Sequence, residues 1–134
     1  MESSDEPPPR PDVALELHEP TPPLASLRHL LSEVFDDLAE ESLEDLHLVV
    51  TELVSNAYDH GLHPRHLRLR RLPAPALLRV EVDDGSSDQP VLGRSRIDDT
   101  RGRGLIIVDK IARDWGVIGR TTGKTVWADL SSQT

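Results

Sequence analysis

The sequence predicts a single α+β domain, and three observations carry that expectation. Two consecutive stretches in the first half place apolar residues at helical spacing. Two later stretches alternate apolar and charged residues as half-buried strands do. The length, 134 residues, suits one hydrophobic core. Hydrophobic residues make up 37% of the chain and aromatics 3%, so leucine, valine and isoleucine have to build that core.

Taken in order, residues 1–12 combine proline, serine and acids with almost nothing to bury, and are expected to form a disordered acidic tail ahead of a domain at 13–134. Val13, Leu15 and Leu17 alternate with Ala14 and Glu16 as a first strand, which His18, Glu19 and Pro20 end. Thr21 is placed to cap a helix with Pro22 as its first residue, and Leu24, Leu27, Leu30, Leu31, Val34, Phe35 and Leu38 hold one helical face. Ser42 and Asp45 resemble a capping box. Leu43, Leu46, Val49, Val50, Leu53, Val54 and Ala57 then carry a second helix to a stop at Gly61.

Leu67 and Leu69 alternate with Arg68 and Arg70, and Leu78, Val80 and Val82 alternate with Arg79, Glu81 and Asp83. The turn at Pro73, Ala74 and Pro75 joins them as a hairpin. Residues 84–103 read as a loop, punctuated by Gly85, Ser86, Ser87, Pro90 and Gly93, and a loop this long inside one domain is usually functional or mobile. Gly104 to Trp115 reads as a third helix, followed by strands at 117–118 and 125–130 around a Thr121-Thr122-Gly123 turn.

Charge separates the two halves. Residues 1–60 carry 15 acids and 2 bases, whereas residues 61–134 carry 9 acids and 13 bases. A net charge of -9 argues against a general nucleic-acid binder, because neutralising phosphates needs excess lysine and arginine. It leaves room for an anionic small ligand in the second half. No apolar run approaches the ~18–20 residues of a membrane span, and the N-terminus is acidic where a secretory leader is basic and then apolar. A cytoplasmic location with no membrane partner is the expectation. The absence of cysteine excludes disulfides, thiolate metal sites and cysteine nucleophiles.

Three short patterns carry chemistry. Glu52, Asn56 and His60 recur at i, i+4 and i+8, so they line one face of the second helix, and a carboxylate one turn from a carboxamide supplies the oxygen ligands that Mg²⁺ prefers. A plain solvated helix face is the competing reading. The strand Val80-x-Val82-x-Asp84-Gly85 ends on an acid in phase with its apolar residues, and a carboxylate pointing inward needs a donor such as an exocyclic amine. Alternatively, Asp84 bonds its own turn backbone. Gly102-Arg103-Gly104 precedes the third helix, where glycine backbone and helix N-terminus suit a phosphate, with Arg101 and Arg103 as local cations.

Other patterns fail on context. Gly123-Lys124-Thr125 looks like the end of a phosphate-binding loop, but the earlier glycine is replaced by Ile118 and a strand follows, so a hairpin turn is the better reading. His60, His63 and His66 straddle Gly61 and Pro64 without a carboxylate at fixed spacing, which argues against zinc. The basic run 65–71 alternates with Leu67 and Leu69 and reads as an exposed sheet face. Gly93 to Ile97 lacks the second glycine of a nucleophile elbow.

The order of the three patterns resembles the GHKL (Bergerat) ATP-binding fold of histidine kinases, gyrase-type ATPases and MutL. The stretch from Leu48 to Gly61, the segment Gly102 to Val108, Asp114-Trp115-Gly116-Val117 and the ending Gly123 to Trp127 are most similar to the bacterial anti-sigma-factor serine/threonine kinases. The resemblance spans roughly Leu15 to Leu130. It implies a two-layer α/β sandwich with a mixed, largely antiparallel sheet packed on about three helices.

The resemblance also implies roles. Asn56 would ligate Mg²⁺, Glu52 would be the catalytic base, and Asp84 would accept from the adenine amine. His60, Gly85, Arg101, Gly102, Arg103, Gly104 and Thr125 would line the ATP site, with residues 89–101 as a lid. The implied partners are ATP or ADP, a sigma factor and an anti-sigma antagonist phosphorylated on serine; a homodimer is left open. A nucleotide-dependent binding module with little or no kinase activity is the alternative, because Ser86 and Ser87 follow Gly85 where many relatives carry a second glycine.

Overall fold

The computed structural model describes residues 10–73, 76–87 and 100–132, with the backbone alone at 100–104. The chain runs β1 (Val13–Glu16), α1 (Leu24–Val34), α2 (Glu40–His60), β2 (His66–Leu72), β3 (Leu77–Asp84), α3 (Thr100–Ile111), β4 (Asp114–Arg120) and β5 (Gly123–Ser131). The strands form one sheet in the order β1-β2-β3-β5-β4. Every pairing among them is antiparallel, so the sheet of the predicted α+β sandwich is not mixed within the described residues.

Period-two patterning decides which face meets the helices. In β3, Leu78, Val80, Val82 and Asp84 are buried while the intervening residues are half-buried. Register extends this row by row across the sheet. Leu15, Leu67, Val82, Val126 and Val117 make one row, and Val13, Leu69, Val80, Ala128 and Trp115 make the next. Leu27 and Leu31 of α1, Leu46, Val50, Leu53 and Val54 of α2, and Leu105 and Val108 of α3 belong to the same core. Each fully buried aliphatic side chain of this kind contributes about 1.5–3 kcal/mol relative to exposure.

The opposite face of the sheet is charged and internally paired. Arg68 donates to both oxygens of Asp83 (2.6 and 2.8 Å) and to Glu81 (3.1 Å). Arg79 grips Asp129 through two bonds (2.7 and 2.8 Å) and lies 4.6 Å over the Trp127 ring. Bidentate arginine–carboxylate pairs are the strong form of the interaction. Arg65 instead turns inward, donating to the Ala57 carbonyl (2.8 Å) and the Gly61 carbonyl (3.2 Å) at the end of α2. Cations near a helix C-terminus are favoured by its partial negative charge.

Several boundaries differ from the sequence expectation. The first helix starts at Leu24 behind Pro23, without a Thr21 side-chain cap, and ends at Val34, with Phe35 bonding back to the Leu31 carbonyl (2.9 Å). The second begins at Glu40 rather than at a Ser42 capping box, and places Glu40 and Glu41 in its first turn, where acids suit the helix dipole. The third begins at Thr100, so Gly102 and Gly104 lie inside the helix. Glycine keeps its N–H and costs only about 1 kcal/mol relative to alanine inside a helix, so the two weaken the helix without stopping it. The same helix ends at Ile111, and Arg113 already pairs with the Asp129 carbonyl (2.8 Å), drawing Asp114 and Trp115 into β4. Most of the tail and of the lid segment, and the turn residues Ala74 and Pro75, lie outside the described residues. Asp12, assigned to the tail by its sequence, is fastened to β2 through Leu69 (2.7 Å) and Arg71 (2.8 Å).

Between α1 and α2, His47 is buried and shares a 3.1 Å hydrogen bond with the Ser32 hydroxyl. Burial, and then the charge of Arg28, pushes its imidazole below the ordinary 6.5. The unfolded chain therefore binds this proton more readily than the folded one. Stability is expected to fall as pH drops below 6.5 toward the lowered folded value. Urea unfolding at pH 7.5 and 5.5 checks it: His47→Gln should narrow the gap between the two pH values, and an unchanged gap would exclude His47 as its source.

Candidate functional site

Glu52, Asn56 and His60 lie half-buried along one stripe of α2, while Leu53, Val54 and Ala57 on the neighbouring face are buried in the core. The stripe leads to Gly61, which ends the helix with its N–H on the Ala57 carbonyl (3.0 Å). Here α2 meets the end of β3: a Cβ on Gly61 would overlap the Asp84 carboxyl, so only glycine permits this approach. The helix thus brings its polar stripe to the end of the strand that carries Asp84.

Burial pushes the Glu52 carboxyl above its ordinary 4.5. A carboxylate made more basic by its surroundings is better suited to take a proton near neutral pH. Glu52 and Asn56 both offer oxygen, which is the donor set a magnesium ion accepts.

Asp84 occupies the next position beyond the apolar rows of the sheet, and its register partner on β5 is Lys124. Lys124 donates to Oδ1 (3.1 Å), and its ammonium forms an ion pair with Oδ2 at 2.9 Å. The two side chains are 2% and 4% exposed. The Ser86 N–H donates to Oδ1 as well (2.7 Å), so Asp84 does bond its own turn, one of the two readings open from the sequence. The Gly85 N–H bonds the Leu62 carbonyl (2.6 Å), and this ties the turn to the segment after α2.

Sequence reasoning missed Lys124, although it is in phase with Val126, Ala128 and Leu130, the buried face of β5. Gly123 before it has φ +151 and would set a Cβ against the Asp84 carbonyl, which requires glycine. Thr125 lies on the other face of the sheet, donating to Asp83 (2.6 Å) and accepting from Arg120 (3.2 Å). Burial acts to raise the Asp83 carboxyl, but the bonds from Arg68 and Thr125 outweigh it and hold it below its ordinary value.

A cleft of about 180 Å³ opens at this end of the sheet, with Pro64, His66, Asp83, Asp84, Arg120 and Lys124 in its lining. His63 pairs with Arg65 (3.1 Å), and His66 lies near Glu16 (3.5 Å). No cluster of histidines and carboxylates able to hold a metal is present among the described residues. Gly102 and Gly104 sit in the first turns of α3, which packs on α2; the side chains of Arg101 and Arg103 lie outside the described residues. No helix among the described residues is long and apolar enough to cross a membrane.

Comparison with known proteins agrees with this architecture. The family model described as the histidine kinase-like ATPase domain matches residues 18–130. Among solved structures, the histidine kinase domain from Erythrobacter litoralis EL346 blue-light activated histidine kinase superposes with a TM-score of 0.53 at 18% identity, covering 81% of this chain and 59% of that one. A structure of the blue-light activated histidine kinase from the same organism gives 0.56 at 19% identity, covering 81% of this chain and 40% of that one. The chain spans less than two thirds of either, and likeness at that identity is likeness of fold. No curated protein matches.

Proposed function

Since the chain belongs to the histidine kinase-like ATPase domain family, we propose that it binds ATP with Mg²⁺ and acts as a regulatory serine/threonine kinase, capturing a sigma factor and phosphorylating an anti-sigma antagonist. ATP binding follows from the family. The observation that carries the reading is the buried Asp84 carboxylate, held against Gly61 at the end of the helix that bears Glu52 and Asn56. ATP supplies the phosphoryl group and Mg²⁺ neutralises its charge. In this reading Asn56 holds the metal, Asp84 accepts from the adenine amine, and Glu52 takes the proton of the attacking serine. The backbone at the start of α3, with Gly102 and Gly104, faces the phosphates, where a helix N-terminus favours anions.

Asn56→Ala should lose the part of ATP affinity that depends on Mg²⁺ and keep the part that does not. Calorimetry with Mg²⁺ and with a chelator separates the two, and an unchanged Mg²⁺ dependence would remove Asn56 from the site.

A second reading, a nucleotide-dependent binder with little catalysis, is favoured by the turn after Asp84. Its backbone is already fastened through Gly85 and Ser86, and Ser87 stands in place of a second glycine. Incubation with labelled ATP and Mg²⁺ beside candidate antagonist domains distinguishes the two. Label on an antagonist serine supports the kinase; partner capture that needs nucleotide but leaves no label supports the binder.

A further inference from the structure

We propose that Lys124 reads the base: beside Asp84, which accepts from an exocyclic amine, its ammonium donates to the ring nitrogen next to that amine, so that the pair recognises the N6 and N1 positions of adenine together. The inference rests on the nucleotide-binding reading and adds a specificity residue to it.

The geometry is that of a paired donor and acceptor. Asp84 and Lys124 are opposite each other in the β3–β5 register, point to the same face and line the same cleft. An ionised carboxylate offers about four acceptor positions and an ammonium three donors. Asp84 Oδ1 takes the Ser86 N–H and Lys124, and among the described residues Oδ2 has the Lys124 ammonium alone beside it, which leaves an acceptor position on Oδ2. Two contacts occupy the ammonium, and among the described residues it has no other partner. One acceptor and one donor therefore remain side by side, the complement of an amine next to an unprotonated ring nitrogen.

A buried ion pair is not something that fold stability by itself calls for. Well-packed apolar residues replace a buried ion pair without loss in many proteins, and the rows just above are apolar: Val82 with Val126, and Val80 with Ala128. The neighbouring side chains in the cleft have partners of their own: Arg120 donates to Thr125 (3.2 Å), and His66 lies 3.5 Å from Glu16.

The test uses ATP and its 1-deaza analogue, which keeps the amine and replaces the N1 acceptor by C–H. Titration calorimetry on the full chain with Mg²⁺ should show the wild type preferring ATP by about tenfold or more, the size expected of a hydrogen bond from a charged donor. Lys124→Met should bind the two alike. A wild-type ratio near one overturns the role of Lys124 and leaves the nucleotide reading standing, whereas a folded wild type that binds neither overturns both. A Lys124→Met variant that weakens both ligands but keeps their ratio also overturns it, because Lys124 would then only support Asp84. Circular dichroism establishes that the variant is folded; if it is not, the wild-type ratio alone decides.

Discussion

Asp84→Asn is expected to abolish measurable nucleotide binding and to lower the unfolding free energy by about 3–5 kcal/mol, the cost of leaving one member of a buried ion pair uncompensated. Two effects coincide at one residue. The carboxamide presents a donor where an amine needs an acceptor, and it strands the Lys124 ammonium, whose side chain is 4% exposed. The double variant Asp84→Leu with Lys124→Met separates them, since it restores an apolar row next to Val82 and Val126. Urea unfolding should return most of the lost stability in the double variant, while calorimetry should still find no ATP binding. Recovery of binding together with stability would show that Asp84 serves the fold alone.

Glu52→Gln should remove about 10²–10⁴-fold of the rate of phosphoryl transfer, the usual contribution of a general base, while raising thermal stability at neutral pH. The second effect follows from burial, which holds the folded carboxyl above its ordinary 4.5. Between that value and the raised one, the folded chain binds the proton that the unfolded chain has released, so stability declines as pH rises through the window. Glutamine carries no charge and avoids the decline. Melting curves at pH 7 should therefore favour the variant, and the advantage should shrink at pH 4. A variant that transfers phosphate at the wild-type rate, or that melts earlier at pH 7, would contradict the assignment.

The helices and strands were legible because their signals are local. The spacing of Leu46, Val50, Leu53 and Ala57 fixes the buried face of α2 and, with it, the stripe of Glu52, Asn56 and His60. The alternation of Leu78, Val80 and Val82 places Asp84 in phase with the core, as the structure has it. What could not be read was the partner of Asp84, because Lys124 lies 40 residues away and strand register is set by packing across the sheet. Lys124 fell in a segment that failed as a phosphate-binding loop, and the turn reading of that segment hid its strand parity. Helix ends were displaced for a related reason: Gly102 suggested a loop that lasted to residue 103, yet both it and Gly104 are tolerated in the first turns of α3, at a cost of about 1 kcal/mol each relative to alanine.

Titration calorimetry of the folded wild-type chain with ATP, with Mg²⁺ and then with a chelator, tests the central claim most directly. The account predicts saturable one-site binding of ATP that tightens when Mg²⁺ is present. A folded chain that gives no heat of binding with ATP under either condition would contradict it.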